Sequence, residues 1–302
     1  MAGVRAPEWV VGMSTFRVVG FSGGIDSQAC ALWARERFPA EEIILLNSDA
    51  GGNEHPITEA FIRLYSDTVF PVTVVKAEIR DMGTAGTAPG RIRNRRNEFE
   101  ETDTLTFDRL AYLENRFPSR KAQFCTKYLK LHPQRRWLDE NLGAKGHDWV
   151  RYVGVRRDES VSRRDTPDSK WDEYFDCDLH YPVASWTKKQ CFDYCLSAGE
   201  PVNPLYTLGF GRVGCAPCIN SSKQDIRNWV SRFPEMIDKV REWEVFVGRT
   251  FFPPCVPGME INFIDDVVAW SKTTRGGSVF QLQMLGEENQ PEACSSKYGL
   301  CE

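Results

Sequence analysis

Apolar residues in the first half of the chain fall into short unbroken runs, with helical periodicity between them. Residues 16–21 form one such run, followed by a tight turn and a helix through Trp33. Ile43-Ile44-Leu45-Leu46-Asn47-Ser48 is a second strand run and Val72-Thr73-Val74-Val75 a third. Between these two, Ile57, Phe61, Leu64 and Tyr65 mark one face of a helix over 56–68. Helical patterns over 105–116 and 125–141 lead to a fourth strand over 149–155. Strands alternating with helices predict an α/β fold with a parallel sheet and right-handed crossovers. In such sheets ligands sit beyond the carboxyl ends of the strands.

The second half reads as mostly helical. A helix follows Trp186-Thr187 through Leu196, and Cys191 and Cys195 on it sit among apolar neighbours as core residues. Ser222 with Asp225 three residues on is a capping box, and the pattern predicts one helix from there to about Val247. A short helix covers 261–270. Residues 80–105 break the periodicity with Gly, Thr and a basic run, Arg91, Arg93, Arg95 and Arg96. That stretch reads as a solvated loop, or as a lid that closes on an anionic substrate. We divide the chain into an α/β nucleotide-binding domain over 14–218 and a helical extension over 219–302 that ends in a Cys-bearing tail.

Composition narrows the class. The chain has 302 residues, 41% hydrophobic, with a formal net charge of −4. Bulk attraction to nucleic acid is not indicated. No apolar run is long enough to span a membrane, and the N-terminus does not read as a secretory signal. The expected location is cytoplasmic, where thiols stay reduced. Ten cysteines then favour metal or redox roles over disulfides.

The turn after the first strand carries chemistry. Ser22-Gly23-Gly24-Ile25-Asp26-Ser27 sets two glycines and two hydroxyls before a helix start, which suits an anion. Asp26 is out of place in a pure anion nest and points to a metal or a capping role. Asp49, in the turn after the second strand, suits a ribose, adenine or metal contact; a turn-forming Asp fits its spacing equally well. Residues 156–164, after the fourth strand, hold four arginines and two serines and suit phosphate or sulfate. Asp158 and Glu159 offer those arginines internal partners instead.

The six-residue turn matches the SGGxDS pattern of the PP-loop adenine-nucleotide enzymes. Cys125-x-x-x-x-Lys130-x-x-Pro133, Gly154-x-Arg156-x-x-Glu159-Ser160-x-x-Arg163, Trp186-Thr187, Asn203-Pro204-Leu205-Tyr206 and Gly214-Cys215-x-x-Cys218 then follow in order. Together they resemble the phosphoadenosine-phosphosulfate (PAPS) reductase family, with its relatives that use ATP in DNA phosphorothioation. The resemblance covers roughly residues 16–222. It implies a PP-loop fold and a nucleotide, PAPS, APS or ATP, held by Ser22, Gly23, Gly24, Asp26 and Ser27. It also implies anion contacts from Lys130, Arg156 and Arg163, and Mg2+ if ATP is used.

The same resemblance raises a 4Fe–4S cluster on Cys125, Cys215 and Cys218. Members with a cluster carry a Cys-Cys pair where this chain has Phe124-Cys125, so a fourth ligand is missing. Cys255, Cys294 or Cys301 supplies it, or one iron stays open; zinc is the alternative metal. Many reductases of the family end in a tail with a nucleophilic Cys, and Cys301 is the candidate here. Two enzymes fit this pattern. One, favoured by the order of motifs along the whole chain and by the Cys-bearing tail, is a sulfonucleotide reductase served by a thioredoxin-like donor. The other is an ATP-dependent sulfur transferase with a nucleic acid or other acceptor, favoured by the complete SGGxDS loop. A non-catalytic nucleotide- or zinc-binding subunit is the third reading.

Overall fold

The computed structural model describes residues 14–83 and 95–273. A six-stranded sheet runs through it in the order β3-β2-β1-β4-β6-β5. Its strands are β1 (Thr15–Gly20), β2 (Ile43–Ser48), β3 (Val72–Val75), β4 (Asp148–Val153), β5 (Ser169–Asp172) and β6 (Cys177–His180). All neighbours pair in parallel except β5, which runs antiparallel to β6. The apolar runs at β1, β2, β3 and β4 thus form the expected parallel core. β2 is apolar almost throughout because helices cover both its faces. β5 and β6 are largely polar and so do not stand out in the sequence, and β5 is an edge strand with Trp171 exposed.

The helices are α1 (Ile25–Arg35), α2 (Pro56–Thr68), α3 (Phe107–Glu114), α4 (His132–Asn141) and α5 (Lys188–Ser197). Beyond them lie α6 (Lys223–Arg232), α7 (Glu235–Val247) and α8 (Ile264–Ser271). α4 is entered through a π-helical turn, Lys127–Leu131. That wider turn separates Lys127 from Lys130. The first is exposed, with Nζ 4.8 Å from the Tyr128 ring centroid, whereas the second turns inward.

One long helix from Ser222 to Val247 does not form. The Ser222–Asp225 capping box is present, but α6 stops at Arg232 and α7 begins at Glu235. Pro234 causes the break. It lacks an N–H, and its ring drives Phe233 out of helical geometry, to φ −140° and ψ 61°. α7 then packs on α3. The Phe107 ring centroid lies 4.9 Å from that of Trp243 and 6.1 Å from that of Phe251. Cys191 and Cys195 are fully buried beside Ile25 and Ala29 of α1, as core residues.

Among the described residues no helix is long and apolar enough to cross a membrane. After β3 the chain returns across the sheet to β4 on the far side of β1. That reversal opens a crevice at the carboxyl ends of β1 and β4, where ligands bind in open α/β sheets.

Candidate active site

A cleft occupies that crevice. Ser22 and Ser27 line it from the β1 turn, Asn47 and Ser48 from the end of β2, and Gly154 from the end of β4. Lys130, Gln134, Glu54 and Gly214 close its other sides.

The turn is held in shape from several directions. Gly23 sits at φ +80°, a conformation that favours glycine, and a Cβ there would press on Thr58 and Ile62 at 3.1 Å. Ser27 Oγ accepts from the Ser22 N–H at 3.1 Å and donates to Gly24 O at 2.8 Å. The Asn203-Pro204-Leu205-Tyr206 motif acts as an external brace. Asn203 Nδ2 donates to Gly23 O at 3.2 Å, and Tyr206 Oη accepts the Ile25 N–H at 2.9 Å. Behind α1, the buried Glu200 carboxylate receives Gln28 Nε2 at 3.1 Å, the Tyr65 hydroxyl at 3.0 Å and the Arg35 guanidinium.

Asp26 and the arginines face inward. The Asp26 carboxylate is 1% exposed, and Arg156 Nε lies 2.6 Å from its Oδ1. Arg156 is itself buried and also bonds Asp158. Burial alone would lower the Arg156 pKa, but the Asp26 charge outweighs it and raises it. Arg163 is buried against Glu159. Asp49 closes its own turn, with Oδ1 accepting from the Gly51 N–H at 2.9 Å and the Gly52 N–H at 3.3 Å. Of the basic run, Arg96 is buried against Glu101, and Arg95 bonds Tyr112 O and Asn115. Arg91 and Arg93 lie outside the described residues.

Sequence reasoning did not single out Glu54, Asn47, Ser48 or Gln134. The polar pair Asn47-Ser48 ends an apolar strand run at its ligand-facing end, which is a usable signal. Gln134 Nε2 donates to Ser48 Oγ at 2.9 Å, and Asn47 Nδ2 to Phe21 O at 2.8 Å, so the three pin the ends of β1, β2 and α4 together. Glu54 carries no pattern in the sequence. Only the fold puts it in the cleft.

Burial pushes the Glu54 carboxyl up to about 7 from the ordinary 4.5, against the opposing charge of Lys130. The unfolded chain loses this proton near pH 4.5, while the folded chain keeps it to about 7. Stability therefore falls as pH rises across that window, by about 1.4 kcal/mol per pH unit and ~3 kcal/mol in all, then levels off. Urea titrations of the wild type and Glu54→Gln between pH 5 and pH 8 test this. The variant should lack that part of the slope, and parallel profiles would refute it.

Next to the cleft is a second cavity, lined by Cys125, Cys215 and Cys218 with Asn53, Gln123 and Lys130. Lys130 thus lines both spaces. Among the described residues no three His, Cys, Asp or Glu side chains stand close enough to hold one metal ion. Around a tetrahedral zinc, bonds of about 2.3 Å put ligand sulfurs about 3.8 Å apart. A four-iron cube holds its ligands farther apart. Cys125, Cys215 and Cys218 on this one cavity are the thiols that could hold an iron–sulfur cluster or a zinc ion. Cys255 does not line this cavity; its N–H donates to Asn262 Oδ1 at 2.7 Å, and burial raises its thiol pKa. Cys294 and Cys301 lie outside the described residues.

A third cavity lies on the other flank of the cysteine loop, lined by Cys215, Cys218, His55 and Trp229. Burial lowers the His55 pKa to about 4, so its ring is neutral at pH 7.

The family model for the phosphoadenosine phosphosulfate reductase domain matches residues 17–221, from β1 through the cysteine loop. The chain belongs to this family. Its resemblance to a 37.8 kDa protein of Escherichia phage 186 is 30% identity over 96% of this chain and 97% of that one. The adenosine 5'-phosphosulfate reductase of Salinibacter ruber is 34% identical over 35% of this chain and 38% of its own length. That of Allochromatium vinosum is 31% identical over 39% and 44%. The chain thus matches less than half the length of either reductase. The phosphoadenylyl-sulfate reductase structure from Candida auris aligns with a TM-score of 0.44 at 15% identity, covering 68% of this chain and 84% of that one.

Proposed function

We propose that this member of the PAPS reductase family is a sulfonucleotide reductase acting on APS or PAPS. The burial of Asp26 against Arg156 supports this reading most. The only carboxylate of the Ser22–Ser27 turn is paired with Arg156 and does not line the cleft, so the turn offers phosphate donors there and no carboxylate for magnesium. Ser22, Gly23, Gly24 and Ser27 hold the nucleotide phosphates. Asp26 and Arg156 are positioning residues that lock the turn to the end of β4, and Arg163 supports the same loop. Asp49 shapes the neighbouring turn. Lys130 places positive charge between the phosphates and the cysteine cavity.

In this reading the Cys301 thiolate attacks the sulfate sulfur. An S–S bond forms, the S–O bond to the phosphate breaks, and AMP or PAP leaves. A thioredoxin-like dithiol then reduces the S-sulfocysteine, releases sulfite and becomes a disulfide. Cys125, Cys215 and Cys218 would hold a 4Fe–4S cluster, which would supply polarising charge to the site. Cys218→Ser should abolish iron binding, measured as iron per chain after anaerobic purification. Full iron retention would remove Cys218 from the ligand set.

The complete SGGxDS turn favours a second reading, an ATP-dependent sulfur transferase. One experiment separates the two. Anaerobic protein is given ATP with magnesium, or APS or PAPS with a thioredoxin system, and the products are identified. Sulfite with AMP or PAP, lost in Cys301→Ser, supports the reductase. AMP with pyrophosphate from ATP, and no sulfite, overturns it in favour of the transferase. Nucleotide binding without turnover points to an accessory subunit.

A further inference from the structure

Among the residues that line the cleft, Lys130 is the only basic side chain and Glu54 the only acidic one. A carboxylate on the wall of a phosphate site would repel the ligand. What Glu54 does there depends on how the fold holds it.

Glu54 is buried, 8% exposed, yet it lines the cleft. Its Oε1 accepts the His55 N–H at 3.3 Å, so the backbone at the start of α2 fixes the carboxyl in place. Oε2 has no hydrogen-bond partner among the described residues and is not sealed from solvent. Burial is the largest influence on this carboxyl and favours the neutral acid. The charges of Lys130, in the π-helical turn, and Lys239, on α7, oppose that effect. Asp49, in the same turn, and Glu59, on α2, reinforce it, and the neighbouring His55 is neutral at pH 7. The acid therefore keeps its proton up to about 7. With Oε1 accepting, that proton sits on Oε2.

We propose that Glu54 is a binding residue of the nucleotide cleft, donating its Oε2 hydrogen as a neutral acid to an anionic oxygen of the bound phosphate or phosphosulfate, while Lys130 supplies the positive charge. This rests on the nucleotide site assigned to the cleft above. Loss of the proton turns the donor into a repelling charge. Nucleotide affinity is then full below about pH 7 and falls as pH rises through it.

Binding of APS and of ADP is measured by calorimetry between pH 6 and pH 8 without magnesium. Full-length protein carrying Cys301→Ser is used, which prevents turnover. APS keeps a constant charge over this range, and the titration of ADP itself is common to all variants. With Glu54 present, binding should be about tenfold weaker at pH 8 than at pH 6, and the complex should take up a proton at pH 8. Glu54→Gln keeps a donor and cannot ionise. It should hold the pH 6 affinity across the range and take up no such proton. Glu54→Met is neutral without a donor, and it should bind about tenfold more weakly than Glu54→Gln throughout. Parallel pH profiles for the protein with and without Glu54→Gln would overturn the proposal. Equal affinities in Glu54→Gln and Glu54→Met would also overturn it. So would binding that tightens with pH once magnesium is added, which would make Glu54 a metal ligand. ADP binding with the expected profile, but no APS binding, would uphold the inference and overturn the reductase. A chain that binds neither nucleotide would overturn the nucleotide site and the inference with it.

Discussion

Arg156→Met is expected to destabilise the folded chain by about 3–5 kcal/mol, because it leaves the Asp26 carboxylate buried without a counter-charge. Asp26 is 1% exposed and sits in the first turn of α1. Its carboxylate cannot reach water without unseating the turn. Asp26→Asn combined with Arg156→Met removes both charges, so the double variant should be more stable than Arg156→Met alone. Urea denaturation of the wild type, both single variants and the double variant gives the coupling energy directly. Additive costs, or a loss under about 1 kcal/mol in Arg156→Met, would show that the pair does not bear on stability. The pair also joins the phosphate turn to the end of β4. Nucleotide affinity should therefore fall in Arg156→Met even where the protein stays folded.

This pair marks where sequence reading stops. Local chemistry places the turn well. An apolar strand, two glycines and a helix start need only neighbouring residues, and the parallel sheet follows from the alternation of runs. The direction of a charged side chain does not. Asp26 and Arg156 are 130 positions apart, and whether each faces the cleft or the other depends on the spacing of β1 and β4 in the sheet. Glu54 is hidden for the same reason. Its burial comes from packing around the turn after β2, which no local pattern reports. Asn203 and Tyr206 were legible as a motif, but their work of holding Gly23 and Ile25 appears only when the chain closes on itself. The break at Pro234 was legible and outweighed by the apolar periodicity on either side of it. β5 and β6 were not legible, since Ser169-Lys170-Trp171-Asp172 and Cys177-Asp178-Leu179-His180 carry no apolar run, whereas the equally short β3 is Val72-Thr73-Val74-Val75.

Gly154→Ala is the second substitution with a large expected effect, and it tests the same junction by shape alone. A Cβ at Gly154 would lie 2.3 Å from Asp26 O, 2.4 Å from Asp26 C and 2.7 Å from Ser27 N. All three are backbone atoms at the start of α1, so no side chain can rotate away to make room. Gly154 follows β4 directly, and β4 is hydrogen-bonded to β1 along Thr15–Gly20. The strand cannot retreat without breaking that register. The phosphate turn must move instead. Overpacking costs about 1–3 kcal/mol where side chains can adjust, and the cost here should reach ~3 kcal/mol or more. Nucleotide affinity should fall at least about tenfold, equivalent to 1.4 kcal/mol, since the displaced atoms belong to the turn that forms one wall of the cleft. Gly211→Ala is the matched control. Its Cβ would meet nothing within 4 Å, so its stability should stay within about 0.5 kcal/mol of wild type. Equilibrium dialysis with labelled nucleotide, under conditions where circular dichroism shows both variants folded, separates the site from the fold. Wild-type affinity in folded Gly154→Ala would mean that the turn does not hold the nucleotide, and the phosphate site would have to be sought elsewhere along the cleft.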